Sequence, residues 1–134
     1  MHFSIAIALI WRETKAGREV LIARRNKDAS HLPGMWEFPG GKCEANETPR
    51  ACAMREAREE VGLEIEITAE RAIIQHEYST RRVTVHPFDA VILRGEPRAI
   101  GCAEVFWISP SELRLENFPA ANAQLIAALQ KQAR

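Results

Sequence analysis

The stretch MREAREEVGL, Met54 to Leu63, constrains the fold most tightly. Its surroundings predict a helix. Thr48 can cap the start, and Pro49 suits the first helical position, where no amide donor is needed. Gly62 suits the residue just past the end. Met54, Ala57 and Val61 recur at helical spacing and form an apolar stripe. Glu56, Glu59 and Glu60 then fall on one arc, because residues three and four apart are neighbours. That arc borders the stripe, so the carboxylates are expected at the edge of the packed interface, half shielded from water. A helix C-terminus is its partially negative end and disfavours acids. Like charges at these spacings cost about 0.2–0.5 kcal/mol per pair even when solvated.

Two arrangements can offset that cost. Arg55 and Arg58 can pair with the acids, Arg55 and Glu59 being four apart. Alternatively, the carboxylates can hold a hard divalent cation. Mg²⁺ takes oxygen ligands, usually one or two carboxylates beside waters and substrate phosphates. The helix residues alone leave both open.

The rest of the chain reads as an ordinary globular protein. Its 134 residues suit one domain over 1–134. Lys and Arg total 18, balanced by 18 Asp and Glu, which gives no footprint for direct nucleic-acid binding and no bias towards an acidic membrane. The opening apolar run, Phe3 to Trp11, is too short to span a bilayer and lacks a preceding Lys or Arg, so a cytoplasmic protein is expected. Cys43, Cys52 and Cys102 lack metal-ligand spacing and read as buried or half-buried thiols in a reducing compartment. SIAIALIW reads as a strand buried on both faces, and EVLIARR as a second strand. NKDASHLPGMW is a loop by its Asn, Asp, Ser, Pro and Gly content, and EFPGGKCEANE holds another. EIEIT begins a strand after the acidic helix. RRVTVHPFDAVIL is a further strand, with Pro87 pointing to a bulge or an edge. EVFWI is a short strand, SPSEL a brief helical turn, and the segment from Pro119 a last helix with Leu125, Ile126 and Leu129 inward. This order predicts a mixed sheet covered by helices on its faces.

The segment from Gly41 to Leu63, GKCEANETPRACAMREAREEVGL, resembles the signature box of the Nudix hydrolases. Gly41, Glu47, Arg55, Glu56, Glu59, Glu60, Gly62 and Leu63 all match, and Ala57 is only smaller than the usual aliphatic residue. The resemblance implies an α/β/α sandwich with a mixed β-sheet and a catalytic loop–helix–loop that binds Mg²⁺ or Mn²⁺. It assigns Glu56, Glu59 and Glu60 as metal ligands, with the Gly40 carbonyl adding one. Glu56 and Glu59 are then the catalytic carboxylates, Glu56 being the candidate base. Arg55 and Glu47 hold loop and helix together, and Lys42 steadies a phosphate. The implied reaction is attack of water on phosphorus in a nucleoside diphosphate-X.

Outside the box, ARRNKDASHLPGMWEFPGGK and ENFPAANAQLIAAL resemble the MutT-like branch of that family, which converts 8-oxo-dGTP to the monophosphate and pyrophosphate. By that resemblance Asn122 reads the purine, Arg25 contacts substrate and Phe38 lies beside the base. His31 aligns with a substrate-side His across a loop one residue longer. Arg82 matches a further contact, with Arg81 competing for the same place. Trp11, Trp36 and Trp107 read as core or loop anchors. One departure stands out. Members of this branch carry a Glu about six residues before the Trp of the late strand. Here Ile100 or Gly101 occupies that place, and Glu104 is the only nearby acid. The alternatives are a pyrophosphohydrolase for CTP or methylated dCTP, and a nucleotide-binding module of the same fold without turnover. A nucleoside triphosphate partner and a monomer or weak homodimer are expected.

Overall fold

A computed structural model describes residues 1–132. Eight strands form one mixed sheet. β1 (His2–Thr14) runs through its centre, antiparallel to β2 (Gly17–Arg24) and parallel to β7 (Arg81–Arg94). β5 (Glu64–Glu70) and β6 (Ile74–Tyr78) both pair antiparallel with β7. β3 (Trp36–Glu37) and β8 (Glu104–Ile108) pair with β2, and β4 (Gly40–Lys42) pairs with β1. α1 spans Pro49–Val61 and α2 spans Ala123–Gln132.

Alternation along β1 splits the core in two. Ile7, Leu9 and Trp11 join Leu125, Ile126 and Leu129 of α2 on one face. Ala8 and Ile10 meet Ala57 and Val61 of α1 on the other, and Ala6 meets Cys52 and Ala53 there. Small residues on that side let α1 approach the sheet closely, which is why Ala57 suffices as the stripe residue. A helix-covered, two-faced sheet is the arrangement the sequence predicts.

Pro87 corrects the edge expectation. It is fully buried in β7, which has partners on both sides. β6 pairs with β7 up to Val85 and β5 takes over from Phe88. The missing amide of Pro87 thus coincides with the gap between two partners, while its carbonyl accepts the Arg71 N–H at 2.9 Å. The second correction is at Gly40 and Gly41, read from sequence as loop. They lie in β4 against Ile7 and Ala6. A Cβ at Gly40 would collide with the Ala6 carbonyl and come within 2.8 Å of Ile7 Cα. Glycine is required there for close approach of two backbones. The last helix also starts later than read: Ala120–Asn122 form a 3₁₀ turn before α2.

Among the described residues, no helix is long and apolar enough to cross a membrane.

Candidate active site

α1 is fixed at both ends by its own sequence. The Thr48 hydroxyl accepts the Ala51 N–H at 3.1 Å. Gly62 adopts φ 72°, and the N–H groups of Gly62 and Leu63 bond the carbonyls of Arg58 and Ala57. This paired closure needs a left-handed residue, which glycine supplies without strain. The segment at 98–101 finishes the cap: the amides of Ile100 and Gly101 donate to the Glu60 carbonyl at 3.1 and 3.0 Å. Gly101 packs so closely that a Cβ would sit 3.3 Å from Glu60 Cα. The place where the resemblance leads one to expect a late Glu is therefore filled by backbone lying on the helix end. Glu104 is engaged elsewhere, pairing with Arg24 at 3.1 Å.

The three box carboxylates divide. Glu56 is half-buried, and its Oε1 accepts Arg55 Nη1 at 2.8 Å. Its other oxygen lies over Gly41, where a Cβ would collide with it. Glu60 turns inward and is largely shielded from water; burial first, then the charges of Glu37 and Glu56, push its carboxyl up to about 9. Glu59 corrects the expectation of partial shielding. Its side chain is 61% exposed and pairs with Arg55 at 3.0 Å. Three residues on from Glu56, it has rotated past the packed edge.

Arg55 organises the group. Its Nε and Nη2 grip Glu47 at 2.6 and 2.9 Å, and Nη2 also reaches the Lys42 carbonyl at 3.1 Å. The guanidinium holds the Glu47 carboxyl down at about 2. Loop and helix are thus tied as the box implies, and both offsetting arrangements are partly realised: Arg55 neutralises the outer carboxylates, while Glu60 makes no ion pair among the described residues.

Sequence reading missed Glu37. Its side chain is 17% exposed, held by Arg25 Nη1 at 2.9 and 3.1 Å to its two oxygens. Burial raises its carboxyl, against Arg25 and with the help of Glu56. Its signal in the sequence was a lone acid between Trp36 and Phe38, just before the Pro-Gly-Gly turn.

Beside this ridge lies a cavity of about 290 Å³. Gly40, Gly41 and Lys42 form the border between the two. Arg25, His31, Phe38, Lys42 and Asn122 all line the cavity, as does Glu37. Arg25 Nε donates to the His31 carbonyl at 2.9 Å and so pins the 26–35 loop. The His31 imidazole is held below its usual range by burial, then by Arg81, Arg25 and Lys42. The Lys42 ammonium rests 4.0 Å from the Phe3 ring centre. Phe38 is a core residue, 1% exposed and stacked on Phe118 at 5.5 Å, so only its edge meets the cavity. Asn122 is the sole buried polar residue among the described residues, 7% exposed, and it lines the cavity. Arg82 is a correction. It lies outside this cavity, exposed and paired with Glu77 at 3.1 Å, whereas Arg81 lines the cavity wall. Strand alternation sends the two arginines to opposite sides of β7.

The donor set suits a hard divalent cation: carboxylate and carbonyl oxygens, crowded, one carboxylate making no ion pair among the described residues. Among the described residues no three acidic, His or Cys side chains close around one point. A one-sided wall is sufficient for Mg²⁺, whose shell is usually completed by water and phosphate. The cysteines take no part in this donor set. Burial raises the thiols of Cys43 and Cys52, and that of Cys102 up to about 11.

The NUDIX domain family matches residues 6–128, and the chain belongs to that family. It is 34% identical over 127 residues to an 8-oxo-dGTP diphosphatase of Escherichia coli (strain K12), spanning 95% of each chain. A CTP pyrophosphohydrolase of the same organism is 32% identical over 121 residues, covering 90% of this chain and 84% of its own. The crystal structure of a MutT protein from Methanosarcina mazei Go1 superposes with a TM-score of 0.82 at 21% identity, over 99% of this chain and 96% of that one, which shows the shared fold.

Proposed function

We propose that residues 1–134 form one Nudix domain acting in the cytoplasm. In this reading it hydrolyses 8-oxo-dGTP to 8-oxo-dGMP and pyrophosphate, with Mg²⁺ or Mn²⁺ held by Glu56, Glu60, the Gly40 carbonyl and the outer Glu59. The observation that carries the reading is the placement of Asn122. A largely buried asparagine lines a base-sized cavity, and the floor of that cavity runs through Gly40–Lys42 to the acidic ridge. A nucleotide seated base-first in the cavity lays its triphosphate over that floor.

The divalent ion, when bound, screens the phosphates and acidifies a water. Glu56 takes the proton of the attacking water at Oε2, because Oε1 is engaged by Arg55. A bond forms from water oxygen to phosphorus, and the anhydride P–O bond breaks. Lys42 and Arg25 steady phosphate charge, and the neutral His31 leaves the cation balance to Arg81, Arg25 and Lys42. Asn122 presents a donor and an acceptor side by side to the guanine O6 and N7 edge. In the oxidised base N7 carries hydrogen; in guanine it accepts. An amide fixed in one orientation leaves a mismatched buried polar pair with the wrong base.

Likeness to a CTP pyrophosphohydrolase favours a second reading, a pyrimidine nucleotide substrate. Steady-state kinetics with 8-oxo-dGTP, dGTP, dCTP and CTP separate the two. The expected result is a kcat/KM for 8-oxo-dGTP at least about 10²-fold above that for dGTP. An equal or lower value for the oxidised nucleotide rejects the substrate assignment, and a preference for CTP or dCTP replaces it with the second reading.

A further inference from the structure

We infer that Tyr78 is a positioning residue for base discrimination, acting through the turn that carries Asn122; the inference rests on Asn122 as the base reader. Asn122 ends the 3₁₀ turn Ala120–Asn122, and its own N–H donates to the Pro119 carbonyl at 2.9 Å. Its side chain lines the cavity, so where the amide lies against a base follows from how the turn is held. That placement comes from the backbone beneath. There the Ala121 N–H is bonded by the Tyr78 hydroxyl at 3.1 Å. The first amides of a helical turn have no partner within it, so an outside acceptor determines how firmly such a turn is seated.

Tyr78 is well placed to serve as that acceptor. It is the last residue of β6, forty-three positions away in sequence, and its ring forms part of the same cavity wall as Asn122. The ring stands edge-on to His31 at 5.3 Å and to His76 at 4.6 Å. One side chain thus joins the sheet, the loop bearing His31 and the turn bearing Asn122. The ring contacts need only an aromatic group. The bond to Ala121 needs the hydroxyl. Reading a hydrogen on N7 against a lone pair depends on where the Asn122 amide lies against the base edge, so a loosened turn erodes discrimination before it erodes chemistry. Glu56 and Glu60 lie outside this cavity lining and do not depend on the tie.

Tyr78→Phe isolates the hydroxyl, since it keeps the ring and its contacts with His31 and His76. The expected result is a fall of about tenfold in the ratio of kcat/KM for 8-oxo-dGTP over dGTP. The change lies in KM for the oxidised nucleotide, with kcat held within about twofold. Asn122→Ala is measured in parallel. If that variant loses the preference and Tyr78→Phe keeps it within about twofold, the inference is overturned while the functional reading stands. If Tyr78→Phe lowers kcat equally for both nucleotides, the tyrosine is merely structural and the inference is again overturned. If Asn122→Ala leaves the preference intact, the reader assignment falls and takes the inference with it.

Discussion

Glu56→Gln lowers kcat by about 10²–10⁴-fold, the usual contribution of a positioned general base, with KM for the nucleotide changed far less. Glutamine keeps the shape of the side chain, and its carbonyl oxygen can still accept Arg55 Nη1, which in the wild type sits 2.8 Å from Oε1. The ridge therefore remains assembled. What disappears is the negative charge on the oxygen above Gly41, which takes the proton and helps hold the divalent ion, so the two proteins are compared at saturating Mg²⁺. Burial already raises the Glu56 carboxyl from its ordinary value, which makes it a stronger proton acceptor than an exposed acid. Pyrophosphate release in Mg²⁺ is the measurement. Turnover lost in the variant and present in the wild type also disposes of the idea that this fold only binds nucleotides. Turnover intact in Glu56→Gln means that another group takes the proton, and Glu37, shielded and beside the same ridge, is the first to examine.

Arg55→Ala lowers Tm by about 8–12 °C and removes most activity. The guanidinium bonds Glu47 twice, Glu56, Glu59 and the Lys42 carbonyl. Deleting it leaves several carboxylates facing each other in a half-shielded site. Breaking a buried pair costs about 3–5 kcal/mol, and an exposed one less than about 1. Arg55 retains 18% exposure, which places the loss between these limits, at about 2–3 kcal/mol. For a chain of this size about 4 °C of Tm corresponds to each kcal/mol. Arg55→Lys recovers only part, because one ammonium cannot reproduce the planar fork on Glu47. Thermal melts with and without Mg²⁺ check this. A shift below about 2 °C in Arg55→Ala would mean that the loop and helix are held by packing rather than by this hub.

The elements that were legible from the sequence are those decided locally. α1 announced both of its ends, through Thr48–Pro49 and Gly62, and β1 announced its burial by an unbroken apolar run. The ridge was legible because helix periodicity fixes which residues share an arc. What the sequence left ambiguous was decided by partners distant in the chain. Pro87 looked like an edge residue because nothing local shows that β6 and β5 divide one side of β7 between them. Gly40–Lys42 looked like loop because a three-residue strand carries no periodicity, and its need for glycine comes from Ala6 and Ile7. Arg81 and Arg82 compete in the sequence because one residue of strand phase, which only the folded sheet fixes, reverses the face of a side chain. Glu59 looked equivalent to Glu56 and Glu60 until the packing of the helix edge separated them. Glu37 was hidden because its importance lies in meeting Glu60 and Arg25, neither of them nearby in sequence.

The most direct test of the account is calorimetric titration of the wild-type protein with Mg²⁺ and Mn²⁺, alone and with a non-hydrolysable nucleotide analogue. The Glu60 carboxyl, pushed up to about 9, holds a proton at neutral pH that a divalent ion must displace. The account predicts uptake accompanied by proton release, so the apparent enthalpy differs between buffers of different ionisation enthalpy. Apparent affinity then climbs with pH by up to about tenfold per unit until about pH 9, and Glu60→Gln abolishes that slope. Absence of any uptake of either ion, with the analogue or without it, would contradict the account at its base.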